Sequence, residues 1–354
     1  MLKKTGFFLF FIVLMVNLHA QQDSAAFAAE MERMRIMKNS GVAYNKGVMA
    51  INSSNYDKAI DHFTEALNVN PEFANAHLQR GKSRYQLFDK QGAMEDFDLA
   101  ISYDPELGEA YFQKGLLILL TDTSNATAAY FDEAINNGYD YPEAYYYRGV
   151  VHLINDNFES AISDFTSAIE RRHNYALAYH DRGTAKRFIN DYQGALYDYR
   201  QAVNYKSGFP MGYNNMGSIK ILLGDYAGAI EDFTVTLNLD PDFVLAYNNR
   251  GKAYYQLMEY ELAAADFKAA HALEEDNVFA MNNLANTLVK MEDYEGAIEL
   301  FSQTLELNPE YGAAYLNRGF ARELTGDLEG ACEDWNTAAS LNVEEATQYT
   351  SECQ

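Results

Sequence analysis

The chain has 354 residues, 48% of them hydrophobic, so it is long enough and apolar enough to bury a sizeable core. Its formal net charge of −24 makes nucleic acid and anionic membrane surfaces poor partners, because an acidic protein repels their phosphate groups. Its two cysteines are too few for a disulfide framework and do not have the spacing of a metal site.

The first 20 residues have the three parts of a secretory leader. Two lysines precede an apolar stretch over residues 6–18, and residues 18–20, LHA, form an acceptable cleavage tripeptide. The stretch is short for a membrane span, which needs about 20 apolar residues. An uncleaved N-terminal anchor is the alternative. We expect a signal peptide over residues 1–20 and an exported protein, periplasmic or secreted, with no stable membrane insertion after signal cleavage.

A six-residue phrase, AYNNRG at residues 246–251, recurs in variants at intervals of 34 residues. A fixed period of this size indicates stacked supersecondary units. Nine repeats follow one another without a gap, between an N-terminal capping helix predicted over residues 21–39 and a C-terminal cap over residues 346–354. The repeats are 40–73, 74–107, 108–141, 142–175, 176–209, 210–243, 244–277, 278–311 and 312–345.

Within each repeat, whose first residue is position 1, a few positions keep one residue type. Position 8 is glycine in all repeats but one, position 24 is always a large aromatic residue, and positions 20 and 27 are small. Positions 20, 24 and 27 share one face of a helix. A small residue at position 8 of an earlier helix would face the small residues and let the two helices approach closely. Each repeat is therefore predicted to be a helical hairpin that buries its apolar face by stacking on its neighbours.

This pattern resembles the tetratricopeptide repeat family, and the resemblance covers the nine repeats, 306 of the 354 residues. It implies an all-α fold, an α-solenoid in which nine helix-turn-helix repeats stack into a right-handed superhelix. It also implies a concave groove, lined by the first helix of each repeat, that binds peptide segments of partner proteins.

Arginine and aspartate recur together within the repeats. Position 7 is arginine in five repeats, and position 23 of the same five repeats is aspartate, whereas Asp232 at position 23 accompanies Met216. We interpret the pairs as ion pairs between the two helices of one repeat, because guanidinium groups favour bidentate contacts with carboxylates. A column of arginines that binds an anionic ligand is the alternative. The predicted pairs are Arg80–Asp96, Arg148–Asp164, Arg182–Asp198, Arg250–Asp266 and Arg318–Asp334.

Asparagines occupy positions 5 and 6 of the later repeats, on the face that lines the family's groove. A carboxamide both donates and accepts hydrogen bonds, so a column of them could hold an extended peptide backbone regardless of its sequence. Asparagine is also common at position 6 throughout the family, which is the structural alternative. The candidate residues are Asn215, Asn248, Asn249, Asn282, Asn283 and Asn317.

The groove positions of repeats 3 and 4 are apolar and aromatic instead. An exposed surface of this kind usually marks an interaction site. The alternative is that these side chains pack under the irregular turn of repeat 3, residues 121–129, or that the helix is slightly rotated. The candidate residues are Phe112, Leu116, Leu119, Tyr146, Tyr147, Val150 and Leu153.

The two ends of a solenoid need caps. We expect a helix over residues 23–38 that packs Phe27, Met31 and Met34 against the first repeat. At the other end Cys332 lies on the last helix of repeat 9, and Cys353 lies in the C-terminal cap. Export would bring these thiols to an oxidising compartment, so we predict a Cys332–Cys353 disulfide, with two separate thiols as the alternative.

The sequence contains no pattern typical of a catalytic site, and we expect no metal and no cofactor. We predict a non-enzymatic scaffold that binds protein or peptide segments in the concave groove. The alternative is a structural or assembly subunit of a cell-envelope complex that uses the convex face or the ends of the solenoid. The fold does not identify the partner.

Overall fold

The computed structural model describes residues 3–351 and 353, with side chains from residue 26 onward. All regular elements of this described part are helical. The chain divides into two compact parts, which we call the N-terminal half, Met1–Arg171, and the C-terminal half, Arg172–Gln354.

The N-terminal half contains α1 (Lys3–Asn52), α2 (Tyr56–Val69), α3 (Ala74–Gln86), α4 (Lys90–Tyr103), α5 (Gly108–Leu119), α6 (Asn125–Asn136), α7 (Pro142–Ile154) and α8 (Phe158–Arg171). The C-terminal half contains α9 (Ala176–Phe188), α10 (Tyr192–Tyr205), α11 (Pro210–Leu222), α12 (Tyr226–Leu239), α13 (Val244–Gln256), α14 (Tyr260–Leu273), α15 (Val278–Lys290), α16 (Tyr294–Leu307), α17 (Gly312–Thr325), α18 (Leu328–Ser340), a 3-10 turn (Glu344–Ala346) and α19 (Thr347–Thr350). Within each half, consecutive helices pack against each other, two per repeat. The predicted all-α solenoid of stacked hairpins is confirmed.

The predicted capping helix and the first helix of repeat 1 lie on one continuous helix, α1. The side chains of residues 1–20 lie outside the described part, so the leader stays a prediction. Phe27, Met31 and Met34 are exposed. The expectation that they pack against repeat 1 is wrong, because α1 enters repeat 1 without a turn that would fold the segment back.

A recurring turn joins the two helices of a hairpin. In repeat 6, Gly224 adopts the left-handed backbone conformation, with φ of 78°, which glycine adopts without steric cost. The Asp225 carboxylate then accepts a hydrogen bond of 3.0 Å from the Gly228 amide and caps α12. The second helix of the repeat therefore starts at a defined residue.

The core of each repeat is an aromatic ring at position 24 that lies against the glycine at position 8. A Cβ atom on Gly251 would lie 2.8 Å from Cε1 of Phe267, which is itself almost fully buried. The glycine therefore makes room for the ring itself. This differs from the expected contact between position 8 and the small residues at positions 20 and 27.

The C-terminal end is closed by α19. Cys332 and Cys353 form a disulfide, with Cα atoms 5.5 Å apart. The ring of Tyr349 lies 4.8 Å from the ring of Phe320 and 5.2 Å from that of Trp335, measured between centroids. The short helix thus covers the last aromatic core residue of the solenoid.

Candidate peptide-binding face

The arginines at position 7 reach the aspartates at position 23. In repeat 7, Arg250 donates from Nε and Nη2 to the two carboxylate oxygens of Asp266, each at 2.8 Å. The hydrogen bonds to Asp266 raise the pKa of the Arg250 guanidinium, while burial acts in the opposite direction. The other four predicted pairs also have their side chains in contact, namely Arg80–Asp96, Arg148–Asp164, Arg182–Asp198 and Arg318–Asp334.

The same arginines also reach the preceding repeat. Arg250 donates from Nη1 to the Thr234 hydroxyl at 3.0 Å, and Arg318 donates to the Ser302 hydroxyl at 2.9 Å. All three guanidinium nitrogens of each residue are thus engaged by protein groups. The geometry favours a structural role that couples neighbouring repeats over the alternative of an arginine column that binds an anionic ligand.

In most repeats with aspartate at position 23, a second basic side chain, at position 11, also contacts that aspartate. The sequence analysis did not predict this contact. Lys220 Nζ lies 2.7 Å from Asp232, the aspartate that has Met216 in place of an arginine at position 7. Burial raises the pKa of Asp232, and Lys220 only partly opposes this effect. The sequence does contain the signal. Six repeats have aspartate at position 23, and five of them have lysine, arginine or histidine at position 11. The exception is repeat 7, where position 11 is Tyr254. The three repeats without that aspartate have uncharged residues at position 11, namely Ala50, Ile118 and Leu288.

The asparagines of the C-terminal half separate into two sets. Asn248 and Asn282, at position 5, are only 6% exposed, so a peptide cannot reach them and their placement on the binding face is corrected. One residue corresponds to a rotation of about 100° around a helix. Position 5 therefore points between neighbouring repeats, while position 6 stays at the surface. The half-buried side chains at position 6 are Asn215, Asn249, Asn283 and Asn317.

Position 6 of one repeat lies beside position 5 of the preceding repeat, and we call each such pair of side chains a rung. Asn249 Nδ2 donates to Asn214 Oδ1 of the preceding repeat at 3.3 Å. One repeat earlier, Asn215 Nδ2 lies 2.9 Å from Nε2 of His180, which occupies position 5. We call these two contacts the closed rungs.

The next two rungs are open. Oδ1 of Asn248 and Oδ1 of Asn282 are buried and have no hydrogen-bond partner within the described structure. Their expected donors are Asn283 and Asn317, whose side chains make no hydrogen bond with other described residues. The amide donors of Asn283 and Asn317 are therefore available to another molecule.

A cleft of about 210 Å³ lies beside the first open rung, between α13 and α15. Its walls are mostly polar, and they can donate and accept hydrogen bonds or attract an anionic group. The lining residues are Lys252, Tyr255, Gln256, Phe267, Asn283 and Asn286.

An apolar row borders the asparagines of the C-terminal half. Position 2 lies one helical turn before position 6, so the two positions share a face. Leu177, Met211, Leu245 and Phe279 at this position are all exposed. The sequence analysis did not predict this row, although four apolar residues at position 2 of four consecutive repeats are visible in the sequence.

Two of the apolar candidates of the N-terminal half are buried, and the others are half-buried. Phe112 is 4% exposed, and its ring stacks on Tyr139 with centroids 4.7 Å apart. Tyr146 is also buried, so neither residue can anchor a partner, and their assignment to the binding face is corrected. Tyr139, from the turn after α6, closes over Phe112, and burial, with nearby acids, raises its pKa to about 12. The remaining candidates are half-buried: Leu116, Leu119, Tyr147, Val150 and Leu153.

Two further properties concern the described residues only. None of their helices is both long enough and apolar enough to cross a membrane. They also contain no cluster of three or more histidine, cysteine, aspartate or glutamate side chains arranged to hold a metal ion.

Comparison with known sequences finds one kind of repeat. Family models described as tetratricopeptide repeat match residues 44–107, 122–176 and 278–311, and one described as TPR repeat matches residues 217–257. Together these matches cover more than half of the chain. No curated protein matches the chain.

Several solved structures are similar. MamA is 24% identical with a TM-score of 0.44, and the match covers 47% of this chain and 96% of MamA. The Pseudomonas aeruginosa protein pilF is 19% identical with a TM-score of 0.52, over 60% of this chain and 97% of that one. A chain of the APC/C hetero-tetramer Cut9-Hcn1 is 14% identical with a TM-score of 0.53, over 89% of this chain and 76% of that one. The last two similarities show a shared fold.

Proposed function

Since the chain belongs to the tetratricopeptide repeat family, we propose that it binds an extended segment of a partner protein on the position-6 face of its C-terminal half. Repeats of this family are non-catalytic protein-interaction scaffolds. The chain is therefore an interaction scaffold and not an enzyme, and its partners are proteins or peptides.

The observation that carries the proposal is the pair of open rungs. The amide groups of Asn283 and Asn317 make no hydrogen bond with other residues that the structure describes, and the cleft between α13 and α15 lies next to Asn283. A peptide backbone offers a carbonyl acceptor at every residue, whatever its sequence. Each open rung can therefore bind one carbonyl group of an extended peptide.

The apolar row supports the same face. Leu245 and Phe279 are among the most exposed apolar side chains of the C-terminal half, and each lies one turn before an asparagine of the column. Covering such side chains contributes roughly 25 cal/mol for each Å² of apolar surface removed from water. We therefore expect a partner segment whose backbone carbonyl groups are free to accept hydrogen bonds and which carries apolar side chains.

Export is part of the proposal. The leader-like residues 1–20 support it, and so does the Cys332–Cys353 disulfide, because disulfides persist mainly in oxidising compartments. Cell fractionation with mass measurement of the N-terminus tests it. An N-terminus at residue 21 in the periplasm or medium is expected, whereas an intact leader on cytoplasmic protein would overturn it.

Peptide binding can be tested without knowing the natural partner. A phage-displayed library of random linear peptides is selected on the protein, and the affinity of selected peptides is measured by fluorescence polarisation. Asn283→Ala and Asn317→Ala are each expected to weaken binding about fivefold, since a hydrogen bond contributes about 1 kcal/mol.

The control is Asn336→Ala, which removes an exposed asparagine on α18, away from the proposed face. It should leave peptide affinity unchanged. If no peptide is selected, or if affinity survives removal of both Asn283 and Asn317 side chains, the position-6 face is not the binding site. That result would favour an assembly subunit that uses other surfaces.

A further inference from the structure

The N-terminal segment of α1 exposes an apolar stripe. Phe27 is 69% exposed, Met31 49% and Met34 47%. Their spacing of four and three residues places the three side chains on one face of the helix. The end of a solenoid normally carries a polar cap, and the opposite end of this chain is covered by α19. The exposed stripe therefore indicates a surface that another molecule covers.

This segment also carries a small excess of positive charge in an acidic chain. Arg35 and Lys38 lie beside Met31 and Met34 around one shallow depression, which Glu32 also lines. Arg35 forms an exposed ion pair with Glu32 at 2.7 Å, and a partner carboxylate would compete with this contact. Residues 26–38 contain three cations and two acids, for a formal charge of +1, in a chain of −24. The stripe thus combines long apolar side chains with an excess of positive charge.

The C-terminal half has a surface of the opposite character. A cleft of about 460 Å³ lies between the carboxyl ends of α14 and α16. Leu307 is exposed in the cleft, and the buried Met281 lies beneath it. Glu275 and Glu306 also line the cleft, are exposed, and form no ion pair with other described residues. The cleft therefore combines the exposed apolar side chain of Leu307 with two acids, and His271 and Gln303 also line it.

We propose that the protein self-associates by placing the segment Phe27–Lys38 of one copy in the cleft between α14 and α16 of a second copy. The methionines pack on Leu307, and Arg35 and Lys38 meet Glu275 and Glu306. The long stems of arginine and lysine pack on apolar surface while their charges remain at the rim. The two matching surfaces belong to one chain, so each copy provides both partners at equal concentration.

Two different surfaces meet in this contact, so it is a heterologous interface. Two copies can exchange segments and form a closed dimer, or the contact can continue and form larger assemblies. In both cases the average mass rises with protein concentration. Because the rim contacts are between exposed charges, salt weakens the association.

Sedimentation equilibrium of protein recovered after expression of the full chain tests the proposal. The wild-type protein should show an average mass that rises above the monomer mass with concentration. Met31→Glu combined with Met34→Glu should keep it monomeric. Phe88→Glu, on an even more exposed aromatic residue in another turn of the N-terminal half, is the control and should associate like wild type.

Variants with reversed charges test which two surfaces are in contact. Arg35→Glu with Lys38→Glu makes both surfaces acidic, and Glu275→Lys with Glu306→Lys makes both basic. Each double variant alone should be monomeric, and an equimolar mixture should regain association. Circular dichroism checks that both variants stay helical.

Three results would overturn the proposal. The first is a monomeric wild-type protein at all concentrations. The second is association that neither charge variant changes. The third is association lost with the α1 variants but retained with the Glu275/Glu306 variant, which would instead indicate that two α1 stripes pair with each other.

Discussion

Arg250 connects three helices from two repeats. It donates two hydrogen bonds to Asp266, 16 residues after it, and one to Thr234, 16 residues before it. Its side chain is 18% exposed and that of Asp266 is 8% exposed. A pair this well shielded stabilises the junction only while both partners are present, because a lone buried charge is costly.

Asp266→Ala should therefore destabilise the protein by about 2–3 kcal/mol, since it leaves Arg250 buried without its carboxylate. Asp232→Ala is the matched comparison. Asp232 holds only Lys220, whose flexible side chain can turn to solvent, so the loss should be under about 1 kcal/mol. Thermal and denaturant unfolding of the two variants measure the difference. Equal losses would contradict the role given to the arginine.

The pH dependence of the free energy of unfolding should show that Asp96 is ionised in the folded protein. Burial favours its neutral form, but hydrogen bonds from His77 and Arg80 outweigh burial and hold the pKa of Asp96 below its ordinary value. A lowered pKa means that the unfolded chain binds the proton more tightly, so the contribution is present above the ordinary pKa and is lost as pH falls. Asp96→Asn should cost most stability near neutral pH, and the deficit should shrink below about pH 4. A deficit independent of pH would argue against an ionised Asp96.

Asp232 should behave in the opposite way. Burial raises its pKa, so the folded state binds the proton more tightly than the unfolded chain does. Its contribution is favourable below the ordinary pKa and declines as pH rises through the raised pKa. Asp232→Asn should thus be tolerated better at neutral pH than Asp96→Asn. Parallel unfolding curves of the two variants between acid and neutral pH measure the contrast, and identical pH profiles would contradict it.

Gly251→Ala should destabilise repeat 7 by about 1–3 kcal/mol through overpacking. The added Cβ would meet Phe267 at 2.8 Å, and the ring is enclosed on its other sides. Gly41→Ala is the control, because nothing lies within 4 Å of its added Cβ in helix α1. Alanine is the better helix former, so this variant should be neutral or gain up to about 1 kcal/mol. Similar losses for both variants would show that backbone propensity, and not the ring contact, decides.

Reduction of the disulfide should loosen the C-terminal cap. Trp335 is the chain's single tryptophan, and Tyr349 of α19 covers it with ring centroids 5.2 Å apart. Breaking the Cys332–Cys353 bond frees α19, so tryptophan fluorescence should shift to longer wavelength and α19 should become sensitive to protease. Cys353→Ser should reproduce both effects without reductant. An unchanged emission spectrum would mean that aromatic packing alone holds the cap.

The ion pairs within the repeats could be predicted from the sequence. The joint occurrence of arginine at position 7 and aspartate at position 23 was sufficient to predict which side chains meet, because an ion pair needs both partners in the same repeat. The same comparison at position 11 would have found Lys220 beside Asp232. That signal was missed because lysine and arginine at helix surfaces are common without any partner.

The period of 34 residues determined the helical hairpins, their order and the aromatic core by itself, since a local spacing repeated nine times permits one stacking solution. Only the tertiary structure decided which polar and apolar side chains reach the surface. Asn248 and Asn249 are neighbours in the chain, but a rotation of about 100° buries one between repeats and leaves the other exposed. Phe112 is also at position 5, which points between neighbouring repeats, and the ring of Tyr139 stacks on it. Such outcomes depend on the shape of the neighbouring repeat, which the pattern within a repeat does not contain.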